Sequence, residues 1–304
     1  AEHAERAGDT VLAITCFEQA GLQARDRFAN AAAQSCFKRA LALLGDAEPL
    51  RRFDLLDELA KIADTVGDRA SQASAHVDMA ALLARHPDDE RLAQLGFAKA
   101  LLADRRSDTA ASEQLAHQAF EVAERCGAAQ WAAMAQGQLA WLHIARQDYP
   151  GAVRHLAIGL PWAGRIVAEK IRAETESQLL TLSGMVSLLT SRLDEARATL
   201  RAVLSRGEAL GRPRLQLGAL DNLARVAAYQ GRWGESTAWG ERGRALAEAI
   251  GARHDVAVAQ LRLAEAAEPA GDTAAAMQWH EQCLPTFRAQ GDRRHEAGVL
   301  RQLG

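Results

Sequence analysis

Nine histidines and four cysteines are the residues of this chain best suited to hold a metal ion or to act as nucleophiles. No two histidines lie four residues apart, no HExxH occurs, and no CxxC pair occurs. Because zinc sites are usually marked by such spacings, no metal is predicted, although a site built from dispersed histidines stays open. All four cysteines fall within predicted helices, where they are expected to be small buried residues: Cys16, Cys36, Cys126 and Cys283. Their pattern fits a cytoplasmic, reducing compartment.

Motifs for nucleotide binding and for hydrolysis are also missing from the sequence. None of the four lysines follows a GxxxxGK[ST] loop, and neither GxGxxG nor GxSxG occurs. Carboxylates such as Asp54 and Asp57 lie three residues apart, which is typical of a solvated helix face. The sequence therefore predicts no enzyme and no cofactor.

The elements that position these residues are predicted to be helices. The chain has 304 residues, of which 66 are alanine and only 7 are proline. Alanine is the best helix former, so this composition predicts an all-α protein. A net charge of -3 excludes a strongly basic nucleic-acid surface. No apolar run approaches about 18 residues, which excludes a membrane-spanning helix.

Two interleaved markers recur about every 40 residues and predict two helices per repeat. One marker is a dipeptide, mostly leucine followed by a small residue, on what we name the A-series helices: 59–60, 95–96, 139–140, 183–184, 223–224, 263–264 and 303–304. The other is a small-x3-bulky-x2-small triplet on the B-series helices, which starts at Ala13, Ala33, Ala73, Ser112, Ala152, Ala196, Ser236 and Ala276. Positions i, i+4 and i+7 share one helix face, where small side chains let another helix approach closely.

Glycine and aspartate mark the predicted turns. Aspartate after the A-series helices suits the N-cap of the next helix, as in Gly67-Asp68 and Gly271-Asp272. We predict an all-α, right-handed superhelical solenoid of about 17 antiparallel helices. It forms a single solenoid over residues 1–304, with compressed repeats over 1–44 and regular repeats over 45–304. Because the last dipeptide, Leu303-Gly304, falls midway along a helix, we expect the native chain to be longer.

These repeats resemble the tetratricopeptide repeat (TPR), with its "LG", "GD" and A-x3-F-x2-A positions, as in Gly8-Asp9 followed by Ala13, Phe17 and Ala20. The opening stretch, residues 4 to 44, and the segments AIGAR (249–253) and AQGDRR (289–294) resemble the C-terminal repeats of bacterial STAND-type signalling ATPases. Those relatives include ATPase-coupled nucleotidyl cyclases and large LuxR-type regulators. The resemblance implies a cytoplasmic, non-catalytic sensor or scaffold arm that binds an inducer or a partner protein.

By analogy with TPR stacks, A-series helices line a concave groove. The groove is expected to be acidic at its N-terminal end (Asp54, Asp57, Lys61 and Asp64), apolar in the middle and mixed at its C-terminal end. The candidate ligand-binding residues are Phe97, Met134, Trp141, Ile144, Gln178, Met185, Asp221, Asn222, Arg225, Tyr229 and Glu265. Two alternatives stay open: Trp141 packing between helices, and Asn222 capping between helices.

The expected partners are a protein or peptide, with a small effector as an alternative, and an upstream ATPase or effector domain. No membrane or direct nucleic-acid contact is expected. The alternative function is a free-standing TPR adaptor or peptide-binding receptor.

Overall fold

The structure is a computed structural model that describes residues 5–27, 29–45 and 48–303. Residues 1–4, 28, 46–47 and 304 lie outside the described residues, and these include Gly304 of the last predicted dipeptide. Within them the secondary structure is helical throughout: α1 (Thr10–Asp26), α2 (Asn30–Leu44), α3 (Pro49–Val66), α4 (Arg69–Arg85), α5 (Asp89–Arg105), α6 (Thr109–Cys126), α7 (Ala129–Ala145), α8 (Tyr149–Gly164), α9 (Glu169–Leu189), α10 (Leu193–Ala209), α11 (Pro213–Tyr229), α12 (Trp233–Ala249), α13 (Arg253–Ala267), α14 (Thr273–Gln290) and α15 (Arg293–Leu303).

The predicted all-α helical solenoid is confirmed. The described residues hold fifteen helices rather than about seventeen. Most helices have 15 to 18 residues, so a helix and its turn together take about 20 residues. The right hand of the superhelix stays a prediction.

The predicted turn residues end and begin the helices. Gly67 and Gly271 adopt φ values of 80° and 86°, which favour glycine because it has no Cβ. Asp68 and Asp272 then accept hydrogen bonds from backbone N–H groups three residues on, each at 3.0 Å. Ser107 takes the same left-handed conformation before the capping residue Asp108. Each capping carboxylate satisfies an N–H group that the first helical turn leaves unpaired.

The triplets mark the buried face of most B-series helices, with one exception. Ala33, Phe37 and Ala40 on α2 are fully or almost fully buried. On α4, however, Val77 is 67% exposed, so the predicted triplet Ala73/Val77/Ala80 is one residue out of register. Gln72 lies four residues after the N-cap Asp68, and a triplet that starts at Gln72 continues with His76 and Met79. All three residues are buried. The cap, rather than residue size, sets the register of that helix.

The chain divides into two compact units, Ala1–Ala98 and Lys99–Gly304, with the boundary inside α5. The sequence markers run through this point without a break. In the N-terminal unit, Phe53, Leu56 and Met79 form a core between α3 and α4. In the C-terminal unit, the largest core joins α7, α8 and α9 and includes Leu156 and Leu179.

Within the C-terminal unit, consecutive helices pack against one another, and α7 also contacts α9, α9 contacts α11, and α11 contacts α13. These are the A-series helices, so their contacts place them side by side along one face. Close packing depends on small residues: a Cβ added at Gly184 of α9 would meet Leu200 Cγ of α10 at 2.8 Å. No helix among the described residues is long and apolar enough to cross a membrane.

Candidate ligand-binding face of the C-terminal unit

A charged cluster lies where α11 and α13 pack side by side. Arg262 on α13 donates from Nε to Asp221 Oδ1 on α11 at 2.7 Å and also pairs with Glu265. Burial would raise the pKa of Asp221, but Arg262 and Arg225 outweigh it and hold the pKa below its usual range. For Arg262, the two carboxylates more than offset burial and raise the pKa. Arg262 and Asp221 are therefore a fixed, mutually neutralising pair.

Arg225 is the other arginine of this cluster. Unlike Arg262, it does not form an ion pair with a carboxylate among the described residues. It donates from Nη1 to Asn222 Oδ1 at 3.2 Å, and the part of the chain that the structure describes shows no ion pair for it. Burial lowers its pKa most, the like charge of Arg262 lowers it further, and the charges of Asp221 and Glu265 offset this only in part. Half-buried and facing a neighbouring cation, Arg225 is the group in the cluster most suited to bind an incoming anion.

Asn222 holds Arg225 in place. It is buried, and its amide donates to the carbonyl of Gly218 within α11 at 2.9 Å while its Oδ1 accepts from Arg225. These bonds lie within one helix, so the alternative of capping between helices is not what the structure shows. Asn222 therefore positions the guanidinium of Arg225.

A cavity of about 180 Å³ opens beside Asp221 and Arg262. The B-series helix α12 contributes Trp239, Gly240 and Gly243 to its lining. A Cβ added at Gly240 would meet Leu263 Cδ2 of α13 at 2.9 Å, so this glycine lets α12 and α13 pack closely. The cavity is a small, partly apolar recess bordered by a fixed ion pair.

Trp141 on α7 is half-buried and makes contacts in two directions. Its indole Nε1 donates to Asp104 Oδ2 on α5 at 3.0 Å. The guanidinium of Arg294, on α15, lies over its ring at 5.6 Å from the centroid. Trp141 also packs against the core formed by α7, α8 and α9. Packing between helices therefore accounts for part of its role, and one ring face is covered by an arginine.

The structure places some predicted site residues elsewhere. Ile144 and Met185 are buried members of the α7–α9 core, which corrects their assignment to the groove. Both side chains pack with residues of α8 such as Leu156 in that core. Phe97 is buried in the N-terminal unit, which likewise removes it from an open groove.

The remaining predicted residues are accessible to different degrees. Met134 on α7 and Gln178 on α9 are half-buried, Glu265 on α13 is exposed, and Tyr229 on α11 is 65% exposed. The Oε1 atom of Gln178 is buried and has no hydrogen-bond partner among the described residues. The apolar middle predicted for the groove is thus reduced to Met134 and Trp141.

The acidic residues predicted at the N-terminal end are present but neutralised within the N-terminal unit. Asp54 pairs with Arg91 at 3.0 Å, and Asp64 pairs with Arg69 at 2.6 Å. Burial raises the pKa of Asp57, although Lys61 lies 2.6 Å from it. Each carboxylate already has a basic partner, so this end offers less unbalanced charge than the sequence indicates.

The sequence analysis missed a cluster of two histidines and one aspartate. Asp292, at the turn before α15, contacts His254 Nε2 on α13 at 2.8 Å and His295 Nδ1 at 2.7 Å, both through Oδ2. Burial would raise the pKa of Asp292, but these two hydrogen bonds hold it far below its usual range. His254 and Asp292 are 38 residues apart, which is close to the length of one repeat. A search for metal-ligand spacings within single helices does not detect a separation of this length.

The fold is shared with solved TPR-type proteins. A Rap protein complexed with Competence and Sporulation Factor has 13% identity and a TM-score of 0.61, and the match covers 97% of this chain and 96% of that chain. A STAND protein with a tetratricopeptide repeat sensor, from Pyrococcus horikoshii, has 12% identity and a TM-score of 0.54, with 88% of this chain and 42% of that chain covered. A tetratricopeptide repeat protein from Parabacteroides merdae has 14% identity and a TM-score of 0.50, with 96% and 98% covered.

At such identities the similarity establishes the fold alone. No protein-family model matches the sequence, and no curated protein matches it.

Proposed function

We propose that this chain is a non-catalytic TPR-type binding domain that holds an acidic peptide or protein segment against the C-terminal unit. The observation that carries the proposal is Arg225, a half-buried guanidinium beside Arg262 for which the described residues show no ion-pair partner. A ligand carboxylate placed there would form a charge-assisted, partly desolvated hydrogen bond and would relieve the repulsion between the two arginines.

The size of the neighbouring cavity supports a peptide rather than a small effector. Pockets that enclose drug-sized molecules usually measure about 300–1,000 Å³. The recess beside Asp221 has about 180 Å³, which is closer to the size of one side chain. An acidic residue of a peptide on Arg225 and a small apolar residue in the recess would together fix its register. The complex between a Rap protein and its bound factor is a related example of ligand binding by this fold.

Two biological contexts are compatible with such a domain. The first is the sensor or scaffold arm of a bacterial signalling ATPase or transcriptional regulator, supported by the repeat segments and by the STAND protein with a TPR sensor. The second is a free-standing adaptor or peptide-binding receptor, supported by the match that covers nearly all of both this chain and a Rap protein. The reading frame upstream of Ala1 distinguishes them, because the first requires an encoded ATPase or effector domain there.

Binding is tested with fluorescein-labelled hexapeptide pools, one rich in Asp and Glu and one rich in Lys and Arg, by fluorescence anisotropy. We expect the acidic pool to bind and Arg225→Ala to weaken it about tenfold, which corresponds to the loss of one charge-assisted hydrogen bond. Arg125→Ala removes an exposed arginine from the B-series helix α6 and serves as the matched control. Equal binding of both pools, or equal effects of the two substitutions, would refute the proposal.

Native mass spectrometry of the chain purified from its source organism is the complementary measurement. A retained peptide mass that disappears in Arg225→Ala supports the proposal. A retained small effector that persists in Arg225→Ala contradicts it.

A further inference from the structure

Three potential metal ligands converge at the junction between α13 and α15. They are His254 Nε2, Asp292 Oδ2 and His295 Nδ1, and these atoms all lie within 4.8 Å of one another. In a tetrahedral zinc site, ligand atoms about 2.0–2.1 Å from the metal are separated by roughly 3.3 Å. The present N···O distances of 2.7 and 2.8 Å are those of hydrogen bonds, so a metal ion requires Asp292 Oδ2 to move about 0.5 Å away from each imidazole nitrogen. The two imidazole nitrogens, which lie within 4.8 Å of each other, must adopt the same spacing.

The ligands are held in orientation by groups around them. The His295 ring stacks on the buried ring of Phe287, with centroids 4.9 Å apart and planes 16° apart. The His254 ring meets the same Phe287 edge-on at 5.8 Å. Asp292 Oδ1 accepts the backbone N–H of His295 at 3.1 Å, which leaves Oδ2 to face both imidazoles. Such outer contacts reduce the cost of ordering ligands when a metal binds.

The cluster is also accessible. The side chains of His254, Asp292 and His295 are 27%, 21% and 29% exposed to solvent, respectively. His254 lines the 180 Å³ cavity beside Asp221 and Arg262, so one side of the cluster faces an open recess. A metal ion can therefore reach the three ligands from solvent without unfolding of the repeats.

We propose that His254, Asp292 and His295 form a binding site for a borderline divalent transition metal ion, for which Zn²⁺ is the reference. Two imidazoles and one carboxylate suit Zn²⁺, Co²⁺, Ni²⁺ or Cu²⁺, whereas Ca²⁺ and Mg²⁺ prefer sites made of oxygen ligands. Three protein ligands leave at least one coordination position for water or another ligand. The bound ion would join α13 directly to the turn before α15. This inference does not depend on the peptide proposal.

The test uses the full chain, freed of metal by chelator and dialysed, then titrated with ZnCl₂ by isothermal calorimetry. We expect one equivalent to bind and the midpoint of thermal unfolding to rise with Zn²⁺ concentration. His254→Ala and Asp292→Asn should weaken binding by about 100-fold or more, since even outer-shell substitutions cost 10–100-fold. Asp292→Asn keeps a good N-cap side chain, so this variant separates metal ligation from helix capping.

His117→Ala is the matched control, because His117 is an exposed histidine near His155, outside the cluster. Long-range ¹H–¹⁵N spectra of the imidazole rings test ligation in the unmutated protein, where Zn²⁺ should shift the resonances of His254 and His295. No stoichiometric binding by the folded chain, binding unchanged in His254→Ala, or shifts confined to His117, His143 and His155 would each overturn the proposal.

Discussion

The guanidinium of Arg294 lies over the indole ring of Trp141, 5.6 Å from its centroid, although the two residues belong to α15 and α7. The same indole donates to Asp104 on α5. Trp141 thus contacts two residues of the C-terminal unit, Asp104 and Arg294, that are far apart in sequence. A ligand that uses the face of this tryptophan must displace Arg294 or bind beside it.

The contact between Trp141 and Arg294 is predicted to stabilise the C-terminal unit by a measurable amount. We expect a coupling free energy of about 0.5–1 kcal/mol from a double-mutant cycle of Trp141→Leu and Arg294→Ala, which is the range for partly exposed cation–π pairs. Urea unfolding of the four proteins provides the values. A coupling of zero would mean that the arginine is solvated in solution and that the ring face is free.

The charged cluster predicts different effects on stability at Asp221 and Arg225, which lie one turn apart on α11. Arg225→Met should leave the free energy of unfolding unchanged or raise it by about 1 kcal/mol, because the substitution removes a half-buried charge repelled by Arg262. Asp221→Ala should lower it by about 2–3 kcal/mol, because Arg262 then loses its principal partner.

Chemical denaturation of both variants measures this contrast. If Arg225→Met proves as destabilising as Asp221→Ala, the arginine is a structural residue, and its role in ligand binding loses support.

The repeat was predictable because its determinants are local. Small residues at i, i+4 and i+7 and aspartate after a left-handed glycine or serine act within one helix and its turn. The misplaced triplet at Ala73 shows the limit: alanine is so common here that size alone does not fix the register, whereas the distance from Asp68 does. The division inside α5 leaves no mark in the sequence, because a continuous helix runs through it.

The candidate site was less predictable because its geometry depends on packing between repeats. The sequence marks Arg225 as a basic group of the groove, but it does not show that Arg262 of α13 pairs with Asp221, because that contact depends on where α13 lies against α11. Ile144 and Met185 have the hydrophobic character expected of groove residues and of core residues alike, so only the contacts distinguish the two.

His280 on α14 predicts a stabilising substitution. It occupies the bulky position of its triplet, where Leu156 and Leu200 stand in other B-series helices, and its Nδ1 has no hydrogen-bond partner among the described residues. A buried polar atom without a partner costs about 1–3 kcal/mol, so His280→Leu should raise the free energy of unfolding by about 1 kcal/mol or more.

Burial lowers the pKa of His280 in the folded chain, so the unfolded chain binds a proton more readily below about pH 6.5. The advantage of His280→Leu should therefore increase as the pH falls from 7 to 5, as measured by urea unfolding. A variant less stable than the wild type at both values would show that the imidazole has an unseen partner.

A second histidine should make folding of the chain sensitive to acid. His155 on α8 contacts Gln136 Oε1 through Nδ1 at 2.7 Å and lies near His143, with ring centroids 4.9 Å apart. Burial and the charges of His143 and His117 lower its pKa to about 4. The folded chain therefore resists protonation at His155 between about pH 6.5 and 4, while the unfolded chain accepts the proton, so stability falls as the pH decreases through this window.

His155→Gln keeps a hydrogen-bonding side chain that cannot be charged. Between pH 7 and pH 4.5 we expect the variant to lose about 1–2 kcal/mol less stability than the wild type, a value reduced from the full shift because the imidazole is partly solvated. His86→Gln, at an exposed position after α4, is the control and should follow the wild type. Parallel pH profiles for all three proteins, measured by chemical denaturation, would show that His155 titrates normally and that acid sensitivity arises elsewhere.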